Sequence, residues 1–348
     1  MNTARLTAHI EDLLARYREA GYFPSASVRV FNAHETLATA CTGDAREDSL
    51  FDVASLTKIA TTTRILLAMD RGQLALDAAV ADCFDEIRQD AWLARRFDGV
   101  TLRMLLTHTS TLTPWFPFYS RRDEDFWQVL HYALEHTEVV QGMEYSDLNF
   151  MLLGELLNRI SRTTLNEGLQ SELVEPLGLG RMMYHPPLEA HIVPSCYDNA
   201  IEMQMCADRS IAFDGFRPSD TEVRGTVNDG NAHYFFHDEA GHAGIFADTQ
   251  AYAKLCQFYM NSPSSLLRAA QKEQPGAPTR GLGLQTGTAY PHGCGHTGFT
   301  GTSIYFSAEH DIGVVAFTNR LFFHQPSGQN TGEFRRALHE SAFALAAK

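Results

Sequence analysis

Strand-forming sequence lies at both ends of this chain, with a long helical stretch between, and no other feature restricts the fold as much. Residues 27–31 and 36–41 read as two short strands joined by the polar turn Asn32-Ala33-His34-Glu35. Residues 302–307 and 313–318 read the same way around Glu309, His310 and Asp311. Strands joined by such short turns pair antiparallel. Residues 73–180 are mostly helical pieces, broken by Pro114, Pro117 and Pro176. A helix is expected at each terminus. Leu6, Ile10, Leu13, Leu14 and Tyr17 fall on one face ahead of Gly21, and a second amphipathic pattern covers residues 331–345. The arrangement that satisfies these segments is an α/β (α+β) fold. An antiparallel sheet built from residues 1–72 plus 240–348 is flanked by the terminal helices, and residues 73–239 form an inserted helical and loop-rich domain.

Composition narrows the function. Lys and Arg total 28 against 42 Asp and Glu, a net charge of −14. So acidic a surface repels phosphate backbones, so no nucleic-acid partner is expected. No apolar run reaches the roughly 20 residues of a spanning helix, so no membrane partner is expected either. The N-terminal stretch lacks the apolar core and small-residue cleavage site of a secretory signal, which predicts a cytoplasmic protein. Six cysteines are scattered without a CxxC pair and read as reduced, mostly buried thiols. His292, Cys294 and His296 alternate and would share one face of a strand, but a fourth ligand is missing and no metal site is expected. Residues 186–240, rich in Asp, Asn, Gly and Pro, read as long loops. Neither they nor residues 111–125 carry a recognisable signature, and nothing in the chain speaks to oligomeric state.

Chemistry is concentrated in three short segments. The first is Ser55-Leu56-Thr57-Lys58. If Ser55 opens the helix expected over 55–69, Lys58 lies one turn on and on the same face. An adjacent amine is one way to activate a serine hydroxyl, and a helix N-terminus favours a developing oxyanion. With 19 serines and four lysines in the chain, chance supplies about 0.2 such spacings, so the motif alone is suggestive. The second segment is Tyr145-Ser146-Asp147, ahead of a helix over 146–160 that lines up Phe150, Leu153, Leu156, Leu157 and Ile160. The third is His296-Thr297-Gly298, in a glycine-rich run that would let a ligand approach the backbone closely.

Taken in this order, the three segments resemble the penicillin-recognising serine hydrolases, and most closely their class C β-lactamase-like branch of β-lactamases, DD-peptidases, D-aminopeptidases and carboxylesterases. Supporting segments are Phe23-Pro24-Ser25-Ala26-Ser27-Val28, Leu105-Leu106-Thr107-His108-Thr109-Ser110 and Gly241-His242-Ala243-Gly244-Ile245-Phe246. The resemblance implies a β-lactamase/transpeptidase-like fold and a set of roles. Ser55 is the nucleophile, Lys58 its activating partner, and Tyr145 the group that relays a proton to the leaving group. The backbone N–H groups of Ser55 and Phe299 form the oxyanion hole. Asp147, His296, Thr297 and Gly298 contact substrate. No cofactor is implied, and the substrate is a small ester, amide or lactam.

Two departures bear on specificity. Asp147 stands where many β-lactamases have Asn. An ionised aspartate only accepts hydrogen bonds, so acylamino β-lactams are expected to be handled poorly. It would either pair with Lys58 or cap the following helix. His296 stands in place of lysine, so any preference for carboxylate-bearing substrates is expected to weaken as the pH rises past the His296 pKa, ordinarily about 6.5. The expected activity is cleavage of an ester or D-amino-acid amide. The alternatives are a β-lactamase or D-alanyl-D-alanine carboxypeptidase, and a non-catalytic binding or sensing protein on the same fold.

Overall fold

The computed structural model describes residues 3–324 and 327–346. The fold is mixed α/β with antiparallel sheets. β1 (Ala26–Phe31) and β2 (Thr36–Thr42) form the expected hairpin. Asn32 Oδ1 closes its turn by accepting the N–H groups of His34 and Glu35. Five two-residue strands follow: β3 (Phe51–Asp52), β4 (Met182–Met183), β5 (Cys196–Tyr197), β6 (Glu222–Val223) and β7 (Phe246–Ala247). The C-terminal strands are β8 (Cys294–Thr297), β9 (Ser303–Ser307) and β10 (Ile312–Thr318).

The main sheet runs β2-β1-β10-β9-β8, antiparallel throughout, so the two ends of the chain meet at β1 and β10. Ala26 lies opposite Thr318 and Val30 opposite Val314. On the outer face, Val28, Val30, Val314 and Ala316 pack under the N-terminal helix Thr3–Glu19 and the C-terminal helix Thr331–Ala346, through Leu6, Ile10, Phe334 and Leu338. On the inner face, Ile304, Phe306, Val315 and Phe317 join a large core shared with the helices Thr57–Asp70, Asp147–Ser161 and Thr249–Asn261. The last of these is capped by Asp248, which accepts the Ala251 N–H.

Two expectations are corrected. Residues 186–240 are not all loop: they hold the β5–β6 pair and a helix, Ala200–Ala207. That helix buries only Cys206, so it lacks the apolar stripe that would announce it. His292 does not share the strand face of Cys294 and His296. It lies in the turn before β8, and its ring is 4.9 Å from that of His310. Among the described residues no three His, Cys, Asp or Glu side chains gather as metal ligands, no cysteine is disulfide-bonded, and no helix is long and apolar enough to cross a membrane.

Candidate active site

Ser55 sits in a tight turn, Ala54–Leu56, that opens directly into the helix Thr57–Asp70. Ala54, just before it, has φ of +48°. That left-handed conformation costs an L-residue about 1–2 kcal/mol. The turn is held by Asp52, whose Oδ1 accepts the Ala54 N–H at 2.8 Å and whose Oδ2 accepts that of Asn228 at 2.7 Å. Burial pushes the Asp52 carboxyl up to about 6, against the pull of these two bonds.

Lys58 is fully buried, and its ammonium has three neighbours for its three protons. Nζ donates to Ser55 Oγ at 3.0 Å and to the His242 carbonyl at 3.0 Å, and lies 2.7 Å from Asp147 Oδ1. Burial works against the charge. The Asp147 carboxylate and Tyr145 overcome it and hold the ammonium above the ordinary lysine value. Of the two expectations for Asp147, the ion pair is the one present. Asp147 is the first residue of the helix Asp147–Ser161, and its carboxylate turns toward Lys58.

Tyr145 is braced on the preceding turn by His108. That histidine adopts φ +58° at the end of the helix Leu102–Thr107. Its Nδ1 accepts the Ser146 N–H at 3.1 Å and lies 3.2 Å from Asn149 Nδ2, which brings its ring to 4.6 Å from that of Tyr145. Burial and the charges of Arg280 and Lys58 hold His108 well below the ordinary histidine value, so the ring is a neutral acceptor. Burial raises the Tyr145 phenol, while Lys58 and Ser55 pull it the other way. Lys58 Nζ is 5.1 Å from the ring centre.

His296 faces this pocket from β8. Burial, Lys58 and Arg280 push it down to about 3, so it is neutral at physiological pH. That direction runs against the pH-dependent cation expected at His296. The cation present is Arg280, whose guanidinium lies 5.5 Å from the Tyr145 ring. Among the described residues no carboxylate pairs with it, and its Nε has no partner.

The turn after β8 is stitched to the turn that carries Ser55. Thr300 Oγ1 donates to the Asp52 carbonyl at 2.8 Å and Thr302 Oγ1 to the Val53 carbonyl at 2.9 Å. Gly298 N–H closes the turn on Thr302 O at 2.7 Å. Gly298 is required there, because a Cβ would stand 2.5 Å from Val53 O. Phe299 follows, 44% exposed, with the Arg320 guanidinium 5.1 Å from its ring centre.

The structure thus brings Ser55, Lys58, Tyr145, Asp147 and His296 together, with Gly298 and Phe299 at the rim. Thr297 goes elsewhere. Successive strand residues point to opposite faces, and with His296 turned inward, Thr297 lines a cavity on the outer face. Four residues around the site went without a role in the sequence: His108, Asp229, His242 and Arg280. His242 lies in a supporting segment without a chemical role, and Asp229 in the loop-rich stretch that carries no signature. Here His242 Nε2 meets Asp229 Oδ1 at 2.9 Å while its carbonyl holds Lys58. Burial resists the Asp229 charge, but His242 holds its carboxyl below the ordinary value. Arg280 lies in no motif, and only the fold brings it to Tyr145.

Known proteins share this architecture. A class C β-lactamase from Rhodobacter sphaeroides superposes with a TM-score of 0.71 at 19% identity, over 96% of this chain and 98% of that one. EstCE1, a hydrolase with promiscuous acyltransferase activity, superposes with a TM-score of 0.70 at 16% identity, over 98% and 99%. At these identities the likeness is one of fold. By sequence, the chain is 27% identical over 304 residues to an N-acetylmuramyl-L-alanine amidase of Bacillus subtilis, covering 78% of this chain and 68% of that protein. Further curated relatives match 51% of this chain and only 45% of their own length. Residues 10–333 match the Beta-lactamase family. With that match over most of its length and the fold in agreement, this chain belongs to the beta-lactamase family of hydrolases.

Proposed function

We propose that this protein is a serine hydrolase that forms an acyl-enzyme on Ser55 and cleaves an ester or a D-amino-acid amide. The observation that carries the reading is the position of Lys58 Nζ, 3.0 Å from Ser55 Oγ and 2.7 Å from Asp147. A charged lysine cannot accept a proton, so Lys58 acts as a relay. It passes one proton to Asp147 as it takes the proton of Ser55, while Oγ bonds to the substrate carbonyl carbon. The N–H groups of Ser55 and Phe299 receive the oxyanion. Tyr145 then protonates the leaving group and is refilled from Lys58, which recovers its proton from Asp147. Water attacking the acyl-enzyme returns Ser55.

Asp147 supports esters and D-amino amides over acylamino lactams, since a carboxylate offers no donor to the acylamino carbonyl. The fold shared with EstCE1, a hydrolase, and the sequence likeness to an amidase are consistent with ester and amide chemistry. Arg280, rather than His296, is the charge that would meet an anionic substrate group. A cytoplasmic setting belongs to the same proposal and is supported by six free cysteines. The second reading, a β-lactamase or D-alanyl-D-alanine carboxypeptidase, is favoured by the likeness to a class C β-lactamase.

The test is hydrolysis of p-nitrophenyl acetate by wild type and Ser55→Ala, with mass spectrometry of the trapped acyl-enzyme. Turnover in the wild type that falls at least about a thousandfold in the variant is expected. Turnover that survives Ser55→Ala overturns Ser55 as nucleophile. Benzylpenicillin cleaved faster than any ester or D-amino amide moves the assignment to the second reading. Saturable binding of all these compounds with no turnover makes the protein a binding module.

A further inference from the structure

The outer face of the main sheet is covered unevenly. The two terminal helices seal β1, β2 and β10, but beyond them, over β8 and β9, the face opens into a cavity of about 800 Å³. Thr297 and Tyr305 form part of its floor, the C-terminal helix one wall, and the turn that carries Tyr290 and His292 the other. Strand β8 separates it from Ser55, because His296 occupies the inner side of the strand.

Two chemistries meet in this cavity. One is flat and aromatic. Tyr305 and Phe343 stack with centroids 4.5 Å apart and planes 15° from parallel, and the His292 ring lies 6.0 Å from Phe343 at 28°. The other is a pair of unsatisfied buried polar groups. His339 is 7% exposed and its Nε2 has no partner. Arg335 donates through Nη2 to the carbonyls of Thr302 at 3.0 Å and Gly298 at 3.3 Å, yet its Nε has no partner. Among the described residues no carboxylate pairs with Arg335. Arg336 and Glu340 are exposed on the rim and remain solvated. Arg335 and His339 line the cavity, and a guanidinium there with no carboxylate against it attracts an anionic group. The volume is within the range of small-molecule sites.

We propose that this cavity is a second ligand site, separate from Ser55, for a small carboxylic acid with a flat apolar body. The carboxylate would face Arg335 and His339 and the body would lie along Tyr305 and Phe343.

Calorimetric titration with 2-naphthoate, and with 2-naphthylmethanol as its uncharged counterpart, tests this. One naphthoate per chain is expected on wild type and on Ser55→Ala alike, so the result does not depend on the hydrolase reading. The alcohol is expected to bind at least about tenfold more weakly, and Arg335→Met to weaken naphthoate by a similar factor. Ala344→Trp, which adds an indole at the rim, is expected to weaken naphthoate while leaving ester hydrolysis unchanged. No saturation on wild type overturns the site, as does equal affinity for acid and alcohol. Naphthoate displaced by labelling Ser55 with a fluorophosphonate also overturns it, since the ligand then sits in the catalytic cleft. If Arg335→Met fails to fold, the acid–alcohol comparison on wild type decides alone.

Discussion

Two cations lie close to the ring of Tyr145, and they are held in opposite ways. Lys58 is fully buried, donates to Ser55 Oγ and to the His242 carbonyl, and has a carboxylate at 2.7 Å. Arg280 is half-buried, lies 5.5 Å from the same ring and has no carboxylate partner among the described residues. A cation with all its partners inside the protein can exchange protons but has nothing left to offer a ligand. A cation without one keeps its full attraction for an arriving anion. On the mechanism proposed above, Lys58 serves proton traffic and Arg280 serves recognition.

Removing Lys58 is the largest disturbance of that contrast. Lys58→Met is expected to lower kcat for p-nitrophenyl acetate by about a thousandfold or more, measured at pH 7.5 on folded protein. A loss below tenfold would mean that Ser55 is activated without it. Asp147→Asn comes next. It is expected to cost about a hundredfold in kcat, because Lys58 loses its proton sink. It should also cost about 3 kcal/mol in unfolding free energy, in the range for a broken buried pair. Because Lys58 is held above its ordinary value, the stability it gains is complete below about pH 10 and lost only as the pH climbs past the folded-state value. Urea titrations at pH 6, 7.5 and 9 are expected to give one and the same stability cost. Full stability and full activity in Asp147→Asn would remove the pair from the mechanism.

Arg280→Gln addresses the other cation. The preference for an ester bearing a carboxylate over its neutral analogue is expected to fall about tenfold, with little change in kcat for the neutral ester. A drop in kcat for both would make Arg280 part of the proton path. The smallest effect concerns pH. With His296 pushed down to about 3, the wild-type anion preference is expected to be flat from pH 5.5 to 8.5. A preference that decays through pH 6.5 would return that role to His296.

The sequence was legible where one periodicity or one spacing was enough. The β1–β2 and β9–β10 hairpins announce themselves through short polar turns between apolar runs. Ser55 and Lys58 announce themselves because three residues on a helix is a fixed geometry. The other partners are brought together by tertiary folding. His108 lies 37 residues before Tyr145, Asp229 and His242 more than 170 after Lys58, and Arg280 in an unremarkable turn. No local pattern distinguishes them from ordinary packed or exposed side chains. His296 shows the same limit from the other side. Its position was legible, but its neutrality depends on burial and on two cations distant in sequence. The Ala200–Ala207 helix was missed because a helix that buries one side chain has no stripe to read.

The hydrogen bonds from Thr300 and Thr302 to the backbone at Asp52 and Val53 have a consequence for how the enzyme comes into being on the ribosome. A nascent chain of some 290 residues already contains the serine, the lysine and the tyrosine. It still lacks β8, β9 and β10, so β1 has an open edge and the strained turn at Ala54 has no partner across it. Ser55 and the turn that carries Phe299 come into register only when the last sixth of the chain is made. A polypeptide abandoned before that point carries Ser55 without the threonine hydrogen bonds that tie its turn to the one bearing Gly298 and Phe299.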